Sequence, residues 1–275
     1  TEVANHEHVE LALQAGFKNL WIGARTSVNP FAVQEIADSL KGNKDVSVWV
    51  KNPINPDLKL WIGAIERIKN AGLKKVAAIH RGFSVYGEKI YRNSPIWNIP
   101  MSLKAELGEI EMICDPSHIA GKRDLIHEVS QQALNLNFDG LMIESHLNPK
   151  EALSDAQQQI TPTELEMLAI NLSLRLENSD NDAFNEELNL LRDKIDDLDS
   201  ELFDLLANRM NLAQEIGRFK KENNIAIYQL ERWKEILESR VNQGEKLDLS
   251  KRFILQCLNA IHEESISKQN TILNK

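Results

Sequence analysis

Residues 46–82 read VSVWVKNPINPDLKLWIGAIERIKNAGLKKVAAIHRG. Two apolar runs, Val46–Val50 and Lys75–Ile79, flank a stretch, Leu58–Ala71, whose apolar residues recur at helical spacing. Runs rich in Val, Ile, Ala and Trp are what strands covered on both faces require. Strand, helix and strand in that order make a βα unit with parallel strands. The same alternation extends in both directions. Further strand-like runs are Thr1–Ala4, Leu20–Ala24, Ile110–Ile113 and Gly140–Ile143. Further helical patterns are His6–Ala15, Phe31–Leu40, Arg123–Leu134 and Thr163–Leu174. Residues 1–175 therefore read as an α/β unit built on a parallel sheet.

The polar residues of this unit gather at one end of the scheme. Arg25, Lys51, Arg81, His118, Glu144 and Asp155 all fall at the C-terminal ends of the runs or in the loops after them. In a (β/α)8 barrel that face carries the active site. Three convergent cations, Arg25, Lys51 and Arg81, point to phosphate groups. His118, Glu144 and Asp155 form a mixed nitrogen and oxygen set suited to a divalent metal. Six units in 175 residues is about 29 each, so a complete barrel needs roughly 235. The expectation is a barrel without its first two strands, preceded by more chain, because Thr1 opens directly on a strand-like run.

The chain carries 32 Lys and Arg against 41 Asp and Glu, a net charge of −9. Such a surface lacks the basic field that nucleic acid or an anionic membrane needs, so neither is expected as a partner. An anionic ligand must be met by a few placed cations. The two cysteines, Cys114 and Cys257, are too few for a disulfide framework or a Cys-rich zinc site and fit a reducing, cytoplasmic setting. No stretch reaches 18 apolar residues.

The character changes after about residue 175. Residues 176–185 are polar and without period, and read as a linker. Residues 186–275 read as all-α. Leu188, Leu191, Ile195, Leu198, Leu202, Leu205, Leu212, Ile216 and Phe219 step by threes and fours along one long helix, as in a coiled-coil seam. Shorter helices follow around Leu230–Leu237 and after Ser250. The seam skips from Leu205 to Leu212, and Arg209 occupies the missing core position. A guanidinium on a core stripe needs an anion. Lys220, 11 residues further on, lies on nearly the same face. Arg192 lies 28 residues before Lys220, about 42 Å along the helix, so only a second antiparallel copy could bring the two together. On the third helix the stripe turns polar at Ser265 and Gln269.

The strings LLRDKID, LLANRMNLAQEIGRFK, IYQLERW and IHEESISKQ resemble the all-helical chorismate mutases across about residues 186–270. The resemblance implies an intertwined dimer of three-helix chains and a site that needs no cofactor. Arg209 and, from the other subunit, Arg192 would hold the two carboxylates of chorismate. Lys220 and Gln269 would hydrogen-bond its ether oxygen, and Arg232 and Ser265 would line the site. Two positions depart from the family pattern: Trp233 stands where a Glu that contacts the substrate hydroxyl is common, and Gln229 where an Asp is common.

The strings WIGARTSVNPF, VWVKNPINPDLKLWIGA, AAIHRGFSVY, ICDPSHIAGKR, FDGLMIESH and ALSDAQQQ resemble the 3-deoxy-7-phosphoheptulonate (DAHP) synthases over residues 1–172. That implies condensation of phosphoenolpyruvate with erythrose 4-phosphate. Arg25, Lys51 and Arg81 would bind phosphoenolpyruvate. His118, Glu144 and Asp155 would be three of four ligands to a divalent ion such as manganese. The family's Gly-Pro-Cys and Lys-Pro-Arg-Thr segments do not occur in these 275 residues, so the synthase part is expected to be incomplete here. Together the two resemblances imply a bifunctional shikimate-pathway enzyme, a homodimer or higher oligomer. The alternative expectation is that the helical half mainly senses chorismate or prephenate and dimerises the synthase.

Overall fold

The structure, a computed structural model, describes residues 1–274. The chain divides into two compact units between Asn178 and Ser179. The first runs β1 (Glu2–Val3), α1 (His6–Gln14), β2 (Asn19–Ile22), α2 (Ala24–Ser27), α3 (Pro30–Leu40), β3 (Ser47–Lys51), α4 (Leu58–Asn70) and β4 (Lys75–His80). It continues with α5 (Asn98–Leu107), β5 (Glu111–Cys114), α6 (Pro116–Ala120), α7 (Ile126–Asn135), β6 (Gly140–Leu141) and α8 (Pro162–Asn171). The six strands form one sheet in sequence order, every neighbouring pair parallel. This is the expected α/β pattern, because each helix returns the chain to start the next strand beside the last.

Helix starts follow local chemistry. The Asn29 side chain accepts from the Phe31 and Ala32 amides ahead of Pro30, whose fixed φ suits a first turn. Asp57 caps α4 by accepting from the Leu60 amide. Thr161 and Glu164 form a reciprocal capping box at α8. On α4, Trp61, Ala64, Ile65 and Ile68 make the buried stripe, and Trp61 Nε1 donates to the Val50 carbonyl at 3.1 Å. That bond satisfies an indole N–H that burial would otherwise strand. The helix expected from Arg123 begins at Ile126, after a 3-10 turn over Arg123–Leu125. Helix α5 carries no clear helical period in the sequence. Its Pro100 reads as a breaker but lies in the first turn, where no intrahelical N–H is lost.

The second unit is all-helical: α9 (Asp182–Glu222), α10 (Leu230–Glu245) and α11 (Lys251–Leu273). Helix α9 starts before the expected Glu186, because Asn181 accepts from the Phe184 amide at 3.2 Å and caps it. The expected linker therefore ends in helix. The seam lies open in the single chain. From Leu191 to Phe219 its apolar residues are each at least half exposed in the single chain. The buried residues of α9 are Ala213 and Gly217, which face α11. A Cβ on Gly217 would meet Gln269 Cγ at 3.1 Å, so the helices approach closely there. Small residues set the contact within the chain, and the large ones stay uncovered. Among the described residues no helix is long and apolar enough to cross a membrane.

His80, at the end of β4, is buried among Trp61, Phe83, Trp97 and Phe138, with ring centroids 5.2–6.3 Å away. Burial lowers its pKa to about 3, with a Pro95 carbonyl only partly opposing. The folded pKa lies below the unfolded value, so stability is fully present above about pH 6.5 and falls as pH drops through the window beneath it. In equilibrium urea denaturation the unfolding free energy should fall by about 1.4 kcal/mol more per pH unit between pH 6 and 5 in the wild type than in His80→Phe. Equal pH slopes in the two proteins would contradict the buried neutral imidazole.

Candidate functional site

In the first unit, the strand ends converge. Arg25 lies in α2 just after β2, Lys51 ends β3, Arg81 follows β4, and Asp115 follows β5 and caps α6 through the His118 amide. A cleft of about 330 Å³ is lined by Arg25, Lys51, Arg81, His118 and Asp155, together with Arg92 and Glu2. Arg81 is buried. Its amide donates to Asn52 Oδ1 at 2.7 Å and its Nη1 to Asn93 Oδ1 at 2.9 Å, so the guanidinium is positioned before any ligand arrives. Burial lowers its pKa, which favours a site that meets it with an anion. Lys51 is less free than the sequence reading took it to be: its Nζ lies 2.8 Å from Asp115 Oδ2 in a buried ion pair. Burial raises the Asp115 pKa, but the His118 and Lys51 contacts outweigh it and bring it to about 2.

The three expected metal ligands come together. One donor atom from each of His118, Glu144 and Asp155 lies within 4.8 Å of the others. His118 Nε2 is 3.8 Å from both Glu144 Oε1 and Asp155 Oδ2. Each of the three side chains has its own support. His118 Nδ1 lies 2.8 Å from Asp115 Oδ2, at ion-pair distance though out of line for a hydrogen bond. Gln158 Nε2 donates to Glu144 Oε2 at 2.8 Å, and Arg92 Nη1 donates to Asp155 Oδ1 at 2.7 Å. One imidazole and two carboxylates, held from behind in this way, fit a divalent cation. Cys114 lies outside this cluster. It is fully buried, and burial pushes its thiol pKa well above the usual range, so it offers no thiolate. Arg92 escaped the sequence reading because it lies in the long loop after β4, away from any strand end.

In the second unit, a cavity of about 530 Å³ gathers Arg209, Lys220, Arg232, Ser265 and Gln269 with Gln229, Trp233 and His262. Leu212, Ile216, Ile227 and Ile236 supply its apolar walls. Arg209 Nη1 donates to Ser265 Oγ at 2.6 Å, and that hydroxyl donates to the Ile261 carbonyl at 2.7 Å. Lys220 Nζ donates to the Ile227 carbonyl. Partial desolvation lowers the pKa of both cations. Arg192 does not reach this cavity. It is exposed on α9, with Nη1 3.3 Å from Asn189 Oδ1 on its own helix. Arg232 pairs with Glu235 at 3.0 Å on the surface. His262 was not foreseen, although it lies three residues before Ser265, on the face that reading had already picked out.

Comparison with known proteins agrees with this two-part layout. Residues 1–176 match the family model of the DAHP synthetase I family, and residues 191–270 match that of chorismate mutase type II. A phospho-2-dehydro-3-deoxyheptonate aldolase of Thermotoga maritima is 31% identical over 140 residues, 50% of this chain and 39% of that protein. A bifunctional chorismate mutase/prephenate dehydratase of Buchnera aphidicola subsp. Acyrthosiphon pisum is 38% identical over 91 residues, 33% of this chain and 24% of that protein. The chain thus spans well under half of either relative. A truncated 3-deoxy-D-arabino-heptulosonate 7-phosphate synthase from Thermotoga maritima shares the fold with a TM-score of 0.54 at 22% identity, over 64% of this chain and 67% of that one. The family match covers more than half of the polypeptide, and by it the chain belongs to the DAHP synthetase I family, with a chorismate mutase type II region following in the same polypeptide.

Proposed function

We propose that the chain serves two steps of aromatic amino-acid biosynthesis: condensation of phosphoenolpyruvate with erythrose 4-phosphate, for which its first unit supplies part of the synthase, and rearrangement of chorismate to prephenate in its second. The observation that carries this is that each unit, independently, gathers its own set of ligand-type residues in one cavity. On this reading the six-stranded sheet is the wall formed by strands 3–8 of a (β/α)8 barrel, residues 1–175 are the synthase, residues 176–185 the linker and residues 186–275 the mutase. The enzyme works in the cytoplasm.

In the synthase unit, Arg25, Arg81 and Lys51 meet the phosphate and carboxylate of phosphoenolpyruvate. Asp115 orients Lys51 and His118 together. His118, Glu144 and Asp155 hold a divalent ion such as manganese, which when bound supplies a Lewis acid for the aldehyde. In the mutase unit the chemistry is unimolecular and needs no acid, base or nucleophile. The residues need only hold the reactive conformer and meet the charge that develops on the ether oxygen. Arg209 takes one carboxylate, and Lys220 and Gln269 face the ether oxygen. The exposed seam of α9 is covered by a second copy, and the same pairing brings the partner's Arg192 to the other carboxylate. The cations that this chain itself brings to the cavity, Arg209, Lys220 and Arg232, favour a working mutase over a site that only senses its ligand.

Three outcomes follow. Arg209→Ala and Lys220→Ala should each lower kcat/KM for chorismate at least a hundredfold, about 3 kcal/mol, with the helical circular dichroism unchanged. Near-normal kcat/KM in either variant would remove that residue from the site. Mixing Arg192→Ala chains with Lys220→Ala chains should restore part of the activity, because a mixed dimer rebuilds one intact site. No recovery after subunit exchange, confirmed by mass spectrometry, would place both residues' roles within one chain. Finally, manganese titrated into the full chain against a chelating dye should bind, and His118→Ala should weaken it at least tenfold. An unaltered dissociation constant would show that the ion goes elsewhere.

A further inference from the structure

Arg92 joins the outer contacts of Glu144 and Asp155 into one brace. Each of His118, Glu144 and Asp155 offers one atom to their common space and has its other atom engaged outside it. His118 Nε2 lies 3.8 Å from Glu144 Oε1 and from Asp155 Oδ2. On the outer side, His118 Nδ1 faces Asp115, Glu144 Oε2 accepts from Gln158 Nε2, and Asp155 Oδ1 accepts from Arg92 Nη1. The same Nη1 donates to Gln158 Oε1 at 2.6 Å. A guanidinium has only donors, so it takes the carbonyl end of the buried Gln158 amide and leaves the NH2 end for Glu144. Arg92 thereby fixes both carboxylates, Asp155 directly and Glu144 through Gln158. Its own backbone is held against the segment that carries His118. The Arg92 amide donates to the Ala120 carbonyl at 3.4 Å, and the Asn93 side chain donates to the His118 carbonyl at 2.7 Å. Gly121 has a φ of +69°, and a Cβ there would collide with that of Arg92, so no side chain separates the two segments.

We propose that Arg92 is a positioning residue that limits Glu144 and Asp155 to one oxygen each toward a bound cation, and so makes the site select manganese over calcium. This rests on the cation reading of His118, Glu144 and Asp155 given above. Calcium is a large, hard ion that gathers about six to eight oxygens and readily takes both oxygens of a carboxylate. The further oxygens it would need here are Asp155 Oδ1 and Glu144 Oε2. Both are already engaged outward, and the guanidinium charge repels a cation from Asp155 Oδ1. A first-row transition ion such as manganese accepts the imidazole nitrogen and is served by the three inward atoms and water. Removing the guanidinium changes two things. The site gains a negative charge, which strengthens the binding of every divalent ion alike. Asp155 Oδ1 is also freed and the Gln158 amide can turn, which helps calcium and loosens the geometry that manganese uses. The charge effect cancels in the ratio of the two dissociation constants, so that ratio reads the geometry alone.

The test uses the full chain, with manganese and calcium each titrated against a chelating dye. The wild type should bind manganese about tenfold or more tighter than calcium. Calcium bound as tightly as manganese overturns the proposal without any variant. Arg92→Met keeps the length of the side chain and removes its charge and its donors. Arg92 is exposed, so this variant should keep the wild-type circular dichroism. Its preference for manganese should fall about tenfold. Gln158→Leu leaves Arg92 on Asp155 and frees Glu144, and should lower the preference in the same direction by a smaller factor. An unchanged preference in Arg92→Met overturns the proposal, since a residue serving only the fold or the net charge would move both dissociation constants by one factor. A fall in Arg92→Met with no change in Gln158→Leu overturns the part that runs through Gln158 to Glu144. A wild-type chain that binds no manganese overturns the cation reading and this proposal together. Manganese binding with an unaltered preference in Arg92→Met overturns this proposal alone.

Discussion

The carboxylate of Asp115 is buried, ionised and engaged in three directions, and the site of the first unit is arranged around it. One oxygen accepts from the His118 amide and starts α6. The other meets Lys51 from β3 and the His118 ring, each at 2.8 Å. Two strand ends and helix α6, which carries His118, are thereby tied to one charge. A buried pair of this kind adds little net stability, since desolvation offsets most of its attraction. What it provides is geometry. The ammonium of Lys51 and the imidazole of His118 are both held in fixed positions before any substrate or metal arrives, which is what an electrostatic site requires. The parallel sheet makes this possible, because every strand ends at the same level.

The second unit obeys a different constraint. Its helices cross where Ala213 and Gly217 let α9 approach α11, and Gln269 fills the space that a side chain at Gly217 would take. This close crossing brings Arg209 beside Ser265 and sets Gln269 against the cavity. The price is a row of large apolar residues, from Leu191 to Phe219, left facing water in the single chain. A continuous patch of that kind marks a surface meant to be covered. The dimer proposed above covers it, and the exposed Arg192 lies on the same uncovered stretch of helix.

Legibility in the sequence followed how local each signal was. Strand runs such as Val46–Val50 and Lys75–Ile79, and the start of α11 after Ser250, depend on neighbours a few residues away, and they come out of the period and the cap chemistry directly. The gathering of His118, Glu144 and Asp155 was legible because parallel strands put their C-terminal residues at one end, whatever lies between them in sequence. Arg92 was not legible, because it reaches Asp155 from a long loop that no period describes. Helix α5 was lost because a proline looks the same in sequence whether it starts a helix or breaks one.

By itself the sequence determined the alternation of strand and helix, the change to an all-helical second half, and the side chains able to carry chemistry in each. Those properties lie in the order of residues, through periods of about two or 3.6 and through side-chain type. Only the tertiary structure decided which groups are already occupied and which are free. It paired Lys51 with Asp115, stacked His262 on Trp233, and turned the leucine seam outward while Ala213 and Gly217 took the contact within the chain. The physical reason is that pairing and burial depend on distances between segments remote in sequence, and close packing sets those distances over the whole unit at once.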